Sequence, residues 1–426
     1  MGANSSKKAT GRHPGLSDEE HRQLQKIFQV ASKDSSHCTE MNIQELWNGI
    51  NDRLLALFLN YYFKSKKAVD FENFIKPYVN VVHGTVDEKI EILTSFWETE
   101  GGIQTKDIIE YVYGVVHSFL QNLLNDETYE SWKSAGCNSS DDRIRMFSNF
   151  LCHDLPLSPL ISSEQLTVWV SSLSSLHAME KAVFRNIYGT STPDILCEIN
   201  MPLCLGITPG TIFPSLLESS DILFLNSRLP KEMRCEWRFL FSTKIHGESF
   251  SKLLGNICNQ GASLIIVKDK LGHVFGGFAP DSWNVGPSFL GNATSFLFKL
   301  EPSLNIYHPT CYNDHYQYLN IQQQTMPNGL GMGGQFEYFG LWLDAEFGTG
   351  HSSESCTTYR GYQMLSGEKN FQIDHVEVWA VGKPPVVEDE EQRSVLDDPK
   401  NWETKAMLEF AGRPQHSEGL REPVED

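Results

Sequence analysis

Ser263-Leu264-Ile265-Ile266-Val267-Lys268, then Asp269-Lys270-Leu271-Gly272, then His273-Val274-Phe275-Gly276-Gly277-Phe278 decides the fold of the second half of this chain. Two runs rich in β-branched and aromatic residues flank a short polar segment that ends in glycine, the pattern of a β-hairpin. Phe296-Leu297-Phe298, Phe339-Gly340-Leu341-Trp342-Leu343 and His375-Val376-Glu377-Val378-Trp379-Ala380-Val381 read as further strands. Phe250, Leu253, Leu254 and Ile257 recur at helical spacing, which predicts a short helix over 248–259. Short strands with a few helices against them predict a β-sandwich.

Before about residue 190 the pattern is helical. Ser17 and Glu20 form a capping box, followed by Leu24, Ile27, Phe28 and Ala31 on one stripe. Helices are expected over 17–33, 42–63, 70–83, 86–98, 105–124, 141–151 and 163–188, the last opened by Ser162 and Gln165. The stretch Phe96–Asp107 lines up with a calcium-binding loop. Glu98 and Glu100 fall at positions 3 and 5, Gly101 at 6, Ile103 at 8 and Asp107 at 12. Position 1 is Phe96, which cannot ligate calcium. The reading is an EF-hand-like fold that has lost most of its metal affinity, with a plain helical bundle as the alternative. The fold class is α+β.

The 426 residues are enough for two or three domains. A formal net charge of −19, without a basic stripe, excludes nucleic acid as a main partner. The nine cysteines are odd in number and show no CxxC spacing, so reduced thiols are expected rather than a disulfide framework or a zinc finger. No signal peptide and no apolar run long enough to span a bilayer is visible, so the sequons at Asn4, Asn138 and Asn292 are expected to stay bare. The opening Met1-Gly2-Ala3-Asn4-Ser5-Ser6 fits an N-myristoylation signal on Gly2, and Lys7, Lys8 and Arg12 would add attraction to an anionic leaflet. The plainer alternative is a disordered terminus that happens to begin with glycine.

A series of blocks runs through the second half. It comprises Ser220-Asp221-Ile222-Leu223, Leu229-Pro230, Trp237-Arg238-Phe239-Leu240-Phe241-Ser242-Thr243, His246-Gly247-Glu248-Ser249-Phe250, Val267-Lys268-Asp269 and Val274-Phe275-Gly276-Gly277-Phe278. Phe339-Gly340-Leu341-Trp342-Leu343-Asp344, Cys356-Thr357-Thr358-Tyr359 and Val376-Glu377-Val378-Trp379 complete it. In this order the blocks resemble the TLDc domain family, over 220–382 or from nearer 190. The resemblance implies binding to the V-ATPase, and a role in oxidative-stress protection without settled chemistry. The Gly2 signal, the helical half and Ser417-Glu418-Gly419-Leu420-Arg421-Glu422 also resemble a lysosomal member of that family. That implies the cytosolic face of lysosomes and a part in MTOR signalling. Where many TLDc domains carry a glutamate before the Phe-Leu-Phe strand, this chain has Thr294.

No motif supports a reacting centre. Gly329-Leu330-Gly331-Met332-Gly333-Gly334 matches GxGxxG, but it lacks the preceding strand and following helix of a dinucleotide site and reads as a glycine loop. His246-Gly247-Glu248-Ser249 has no GxSxG elbow around it; Gly247 reads as a turn and Ser249 as part of the next helix start. His273, His308, His315, His351 and His375 are scattered, with no HExxH.

After Gly382, Pro384-Pro385 and Glu388-Asp389-Glu390-Glu391 read as an extended acidic linker. Asp398 and Pro399 then open a short helix with Trp402, Ala406, Met407 and Phe410 on one stripe, stopped by Gly412 and Pro414. Those four residues are the candidate partner-binding anchors, on a helix that docks either on its own domain or in a groove of the partner. The expected organisation is 1–16 lipidated terminus, 17–190 helical EF-hand-like domain, 191–382 TLDc domain, 383–397 linker, 398–412 helix and 413–426 tail. The expected function is that of a non-enzymatic, membrane-tethered adaptor without metal or cofactor. Its partners are the V-ATPase, MTOR pathway components and a membrane reached through the myristoyl group. The alternative is an oxidative-stress-protective enzyme using a reactive cysteine or a His/Glu pair.

Overall fold

The computed structural model describes residues 15–97, 102–190, 201–208, 213–335 and 338–385. They form two compact units. Described residues up to Glu127 and from Ser139 to Thr190 make the first; Thr128–Asn138 and those from Met201 onward make the second. A short excursion from inside the stretch read as one helical domain therefore belongs to the β-rich unit.

In chain order the first half holds α1 (Asp18–Ser32), α2 (Glu40–Leu46), α3 (Asp52–Phe63), α4 (Phe71–Val82), α5 (Val86–Ser95), β1 (Ile103–Gln104) and α6 (Thr105–Leu124). Next come α7 (Glu130–Ser134), α8 (Asp141–Leu151), β2 (Leu160–Ile161), α9 (Ser163–Ser172) and α10 (Ser174–Ile187). All but α7 lie in the first unit. The capping boxes expected at Ser17/Glu20 and Ser162/Gln165 are formed. Two expected helices are each divided. The span 42–63 breaks after Leu46, and the Asn51 side chain opens α3 by accepting the Arg53 N–H at 3.1 Å. The span 163–188 breaks at Leu173, whose ψ of 70° lies outside the helical region.

Pairing between loops shows the plan of this unit. Ile103 pairs with Ile161 in an antiparallel ladder, and Cys38 pairs with Val69 in an isolated antiparallel bridge. Paired EF-hands join at loop position 8, so these residues place four helix–loop–helix motifs in register: α1/α2, α3/α4, α5/α6 and α8/α9. Position 1 of the four loops is then Ala31, Tyr62, Phe96 and Asp154. Position 12, where a calcium loop has glutamate, is Asn42, Asn73, Asp107 and Gln165. Asn42 Oδ1 and Gln165 Oε1 instead accept the backbone N–H of Thr39 and Ser162, each at 3.0 Å. In these two loops position 12 serves as a helix cap.

The second unit continues with β3 (Leu203–Leu205), α11 (Ser219–Asn226), β4 (Glu236–Ser242), α12 (Thr243–His246), α13 (Phe250–Ile257), β5 (Ser263–Asp269) and β6 (Val274–Ala279). Then come β7 (Gly286–Leu290), β8 (Phe296–Glu301), β9 (Asn305–Tyr307), β10 (Gln317–Asn320), β11 (Gly329–Met332), β12 (Leu341–Asp344), β13 (Thr349–His351) and β14 (Asn370–Val381). The expected hairpin is β5–β6, registered from Ser263↔Ala279 to Lys268↔Val274. The long β14 belongs to two layers. Its first residues pair with β13, its last with β4, and β5 lines its other edge. One layer runs β3–β4–β14–β5–β6–β8–β9 and the other β7–β10–β11–β12–β13–β14. Between them lie Ile265, Val267, Phe275, Leu297, Leu319, Leu330, Met332, Leu341, Leu343, Val376 and Val378, all buried. The α+β class, with an EF-hand-like helical half and a β-sandwich, is as expected; the C-terminal helix lies outside the described residues.

The glycine run corrects one expectation. Gly329–Met332 is not a loop but strand β11, buried throughout, with the turn beginning at Gly333. A Cβ on Gly331 would come within 2.8 Å of the Phe339 and Trp342 rings. The face of the strand formed by Gly329 and Gly331 is bare, and aromatic rings lie against it.

Candidate functional site

The strand β14 carries the polar groups nearest to a reacting arrangement. Its alternation would put His375, Glu377 and Trp379 on one face and Val376, Val378 and Ala380 on the other. A register shift between Ile373 and His375 lets Phe371, Ile373, Val376, Val378 and Ala380 all join the sandwich core. The polar face is therefore the outer one, yet it is sealed. Trp132 of α7 lies over it, its ring 4.9 Å from Trp379 and 5.8 Å from Trp237. Trp132 Nε1 donates to Pro202 O at 2.7 Å, which satisfies the indole in a site with no water contact. Phe213 adds a further ring 6.3 Å from Trp379.

Glu377 sits under this cover, fully buried. Its carboxyl accepts from Ser215 Oγ at 2.7 Å, from the Leu216 N–H at 2.8 Å and from Trp379 Nε1 at 2.5 Å. Burial raises its pKa to about 7, with the three donors pulling the other way. Two residues away, His375 Nε2 lies 2.7 Å from Ser242 Oγ, the spacing of a nucleophile and its base. Burial lowers His375 to about 4, so the imidazole is neutral at pH 7. Ser242 is 0 % and His375 3 % exposed, so no substrate reaches the pair while the sheet is closed. The chemistry this seam performs as it stands is structural: it fastens the 213–217 segment and α7 to β14.

The other residues singled out in the sequence have local roles. His246 Nδ1 accepts the Ser242 N–H at 3.1 Å, and its ring stacks 5.3 Å from Phe241. Gly247 takes a φ of 83°, and Ser249 is the N-cap of α13, accepting the Lys252 N–H. Glu248 is exposed. Thr294 binds Asn292 Oδ1 through both its N–H and its hydroxyl, at 2.9 and 2.6 Å. Burial pushes the thiols of Cys38 up to about 11 and of Cys152, Cys204 and Cys258 up to about 12, and raises Cys137 and Cys356. Cys235 and Cys311 are exposed. Among the described residues no three His, Cys, Asp or Glu side chains converge as a metal site, and no helix is long and apolar enough to cross a membrane.

Three loops at one end of the sandwich are braced together. Thr358 O accepts the Thr310 N–H at 2.8 Å, and Thr358 Oγ1 donates to Asn313 Oδ1 at 2.9 Å while accepting the Gly334 N–H at 2.8 Å. Gly333 N–H reaches His315 O at 3.0 Å. On these fixed loops Tyr312 is 86 % and Tyr338 59 % exposed. Large aromatic side chains held out by a rigid frame are the residues that anchor protein interfaces. Gly2, Trp402, Ala406, Met407 and Phe410 lie outside the described residues. Trp132, Ser215, Tyr312 and Tyr338 were not picked out from the sequence. A lone tryptophan in the polar run Glu130-Ser131-Trp132-Lys133-Ser134 was the one available signal.

Comparison with known proteins agrees with this architecture. The family signature described as the TLDc domain matches residues 212–382, which form most of the β-rich unit. The MTOR-associated protein MEAK7 of Gallus gallus is 41% identical over 376 residues, 83% of this chain and 79% of its own length. The protein of the same name from Homo sapiens is 33% identical across 96% of both chains. The chain belongs to this family of TLDc-domain proteins, that of the MTOR-associated protein MEAK7. Oxidation resistance protein 1 of Bos taurus is more distant, 27% identical over 47% of this chain and 23% of its own length.

Proposed function

We propose that this protein is a non-enzymatic adaptor, tethered by myristate on Gly2 to the cytosolic face of the lysosomal membrane. It binds the V-ATPase through its TLDc unit and its C-terminal helix, and it takes part in MTOR signalling. One observation carries the non-enzymatic part: the Ser242–His375 pair is buried and Glu377 is buried in the bonds of Ser215, Leu216 and Trp379, while Tyr312 and Tyr338 stand out on braced loops. That division favours docking over turnover. The names of the relatives support the MTOR connection, and the family resemblance supports the pump as partner. Trp402, Ala406, Met407 and Phe410 would enter a groove of the pump as anchors. Steric engagement of a rotary machine through a surface and a tethered helix would bias its rotation.

The test is recovery of V-ATPase from detergent-solubilised lysosomal membranes on tagged wild-type protein. Gly2→Ala should leave recovery in detergent intact but move the protein from membrane to cytosol in cells. Deletion of residues 386–426 should lower pump recovery about tenfold, as should Tyr312→Ala with Tyr338→Ala, since interface anchors are each worth about 1.4 kcal/mol or more. Unchanged recovery in both variants would defeat the docking part of the reading. Unchanged membrane partition of Gly2→Ala would defeat the anchor.

A second reading, thiol-based oxidative defence, draws on the named relative Oxidation resistance protein 1 and on the exposed thiols of Cys235 and Cys311. It requires that peroxide turnover be lost when those two cysteines become serine.

A further inference from the structure

Helix α10 stands outside the repeat that builds the first unit. Each helix–loop–helix motif uses two helices, and the four motifs account for α1 to α6, α8 and α9. We propose that α10 is an internal target helix: the paired EF-hand-like motifs form a helix-binding groove whose ligand is the chain's own residues 174–188.

The pattern on α10 is that of a helix laid into a groove. Leu176, Met179, Glu180, Val183, Phe184 and Ile187 are buried at i, i+3, i+4, i+7, i+8 and i+11. The first pair of motifs cages the C-terminal end. Phe58 of α3 meets Phe184 edge-on at 5.3 Å. Trp47, Phe74 and Tyr78 surround Tyr188 at 5.3, 5.1 and 5.2 Å, and Tyr62 Oη lies 2.6 Å from Tyr188 Oη. Trp47 Nε1 donates to Ile187 O at 2.9 Å. A carbonyl in the last turn, left without an intrahelical partner, is thus capped by the groove. The second pair grips the N-terminal end through charge. Glu180 pairs with Lys89 of α5, accepts from Tyr111 Oη of α6 at 3.0 Å, and is 1 % exposed. His177 Nδ1, at the rim, lies 3.1 Å from Lys89 Nζ. A buried ion pair of this kind sets register more than it adds affinity. Aromatic cage, buried charge and capped end together are the features of a recognised ligand. The groove is full, and an outside amphipathic helix must displace α10 to enter.

The test uses the full chain with Phe184→Asp and Ile187→Asp, and a fluorescent peptide of residues 174–190. The peptide should bind the variant at least tenfold more tightly than wild type. A Glu180→Lys version of the peptide should bind at least tenfold more weakly, because it brings a second cation to Lys89. A folded variant that ignores the peptide, or wild type that binds it equally, overturns the proposal. Should the variant fail to fold, native-state hydrogen exchange on wild type decides. The α10 amides should share an opening of lower free energy than those of α4 and α6. Exchange of α10 only with global unfolding would make it an ordinary core helix and overturn the proposal.

Discussion

On β14, Glu377 and His375 face the same side and titrate in opposite senses. The folded pKa of Glu377, about 7, lies above its ordinary 4.5. Its protonated form therefore favours the native state, and that stability is full below pH 4.5 and lost as the pH rises to 7. The folded pKa of His375, about 4, lies below its ordinary 6.5. Its neutral form favours the native state, and that stability is full above pH 6.5 and lost as the pH falls to 4. Each displacement converts to about 3 kcal/mol, so the two offset across one window. Glu377→Gln should expose the histidine and make the unit lose about 3 kcal/mol on acidification from pH 6.5 to 4. His375→Gln should expose the carboxyl and reverse the slope, with the loss coming as pH rises from 4.5 to 7. Urea unfolding followed by tryptophan fluorescence at several pH values measures both; parallel profiles in the two variants would refute the assignment. At Gly331 the expected effect is steric. Gly331→Ala forces a methyl against the Phe339 and Trp342 rings and should cost about 1–3 kcal/mol in the same assay.

Among the elements, α7 does more than its five residues indicate. It carries Trp132, fully buried between Trp237 and Trp379, into the β-rich unit. Trp132→Ala should cost the second unit about 3–5 kcal/mol, since a cavity of indole size opens over a strand that holds a buried carboxyl. Limited proteolysis should then cut first near the freed 213–217 segment. Resistance equal to wild type would show that the excursion is dispensable. The helix–loop–helix motifs carry the opposite lesson, a calcium-loop geometry without the calcium-loop ligands at positions 1 and 12 of most loops. With Ala31, Tyr62 and Phe96 at loop position 1 and no glutamate at position 12 of any of the four loops, millimolar calcium should leave the thermal midpoint of the first unit unchanged. An upward shift with calcium would show that one of the loops still ligates.

For the molecule as a whole, the contrast between sealed and exposed groups governs reactivity. Of the eight described cysteines, Cys235 and Cys311 are exposed, and six are held back by burial. Native alkylation read by mass spectrometry should label Cys235 and Cys311 first, with Cys38 and Cys258 protected until unfolding. Equal labelling of Cys258 would mean that the sandwich opens readily. The net charge of −19 has a separate consequence: a partner must offer a neutral or basic face, and association with it should weaken as salt rises.

Local pattern was enough for much of this. Apolar period, caps and turn residues marked the hairpin β5–β6, the helix α13 and the switch from helix to strand near residue 190, because each depends on neighbours within a few positions, while the TLDc domain was legible through the resemblance of its ordered blocks to that family. The divided helices at Leu46 and Leu173, the strand hidden in Gly329–Met332 and the seam around Glu377 were decided by tertiary structure. Alternation alone assigns His375, Glu377 and Trp379 to solvent. The arrival of Trp132, far away in sequence yet 4.9 Å from Trp379 in space, and of Ser215 and Leu216 on Glu377 turns that face into an interior. Burial is a property of what packs above a residue, and the sequence around a residue does not record it.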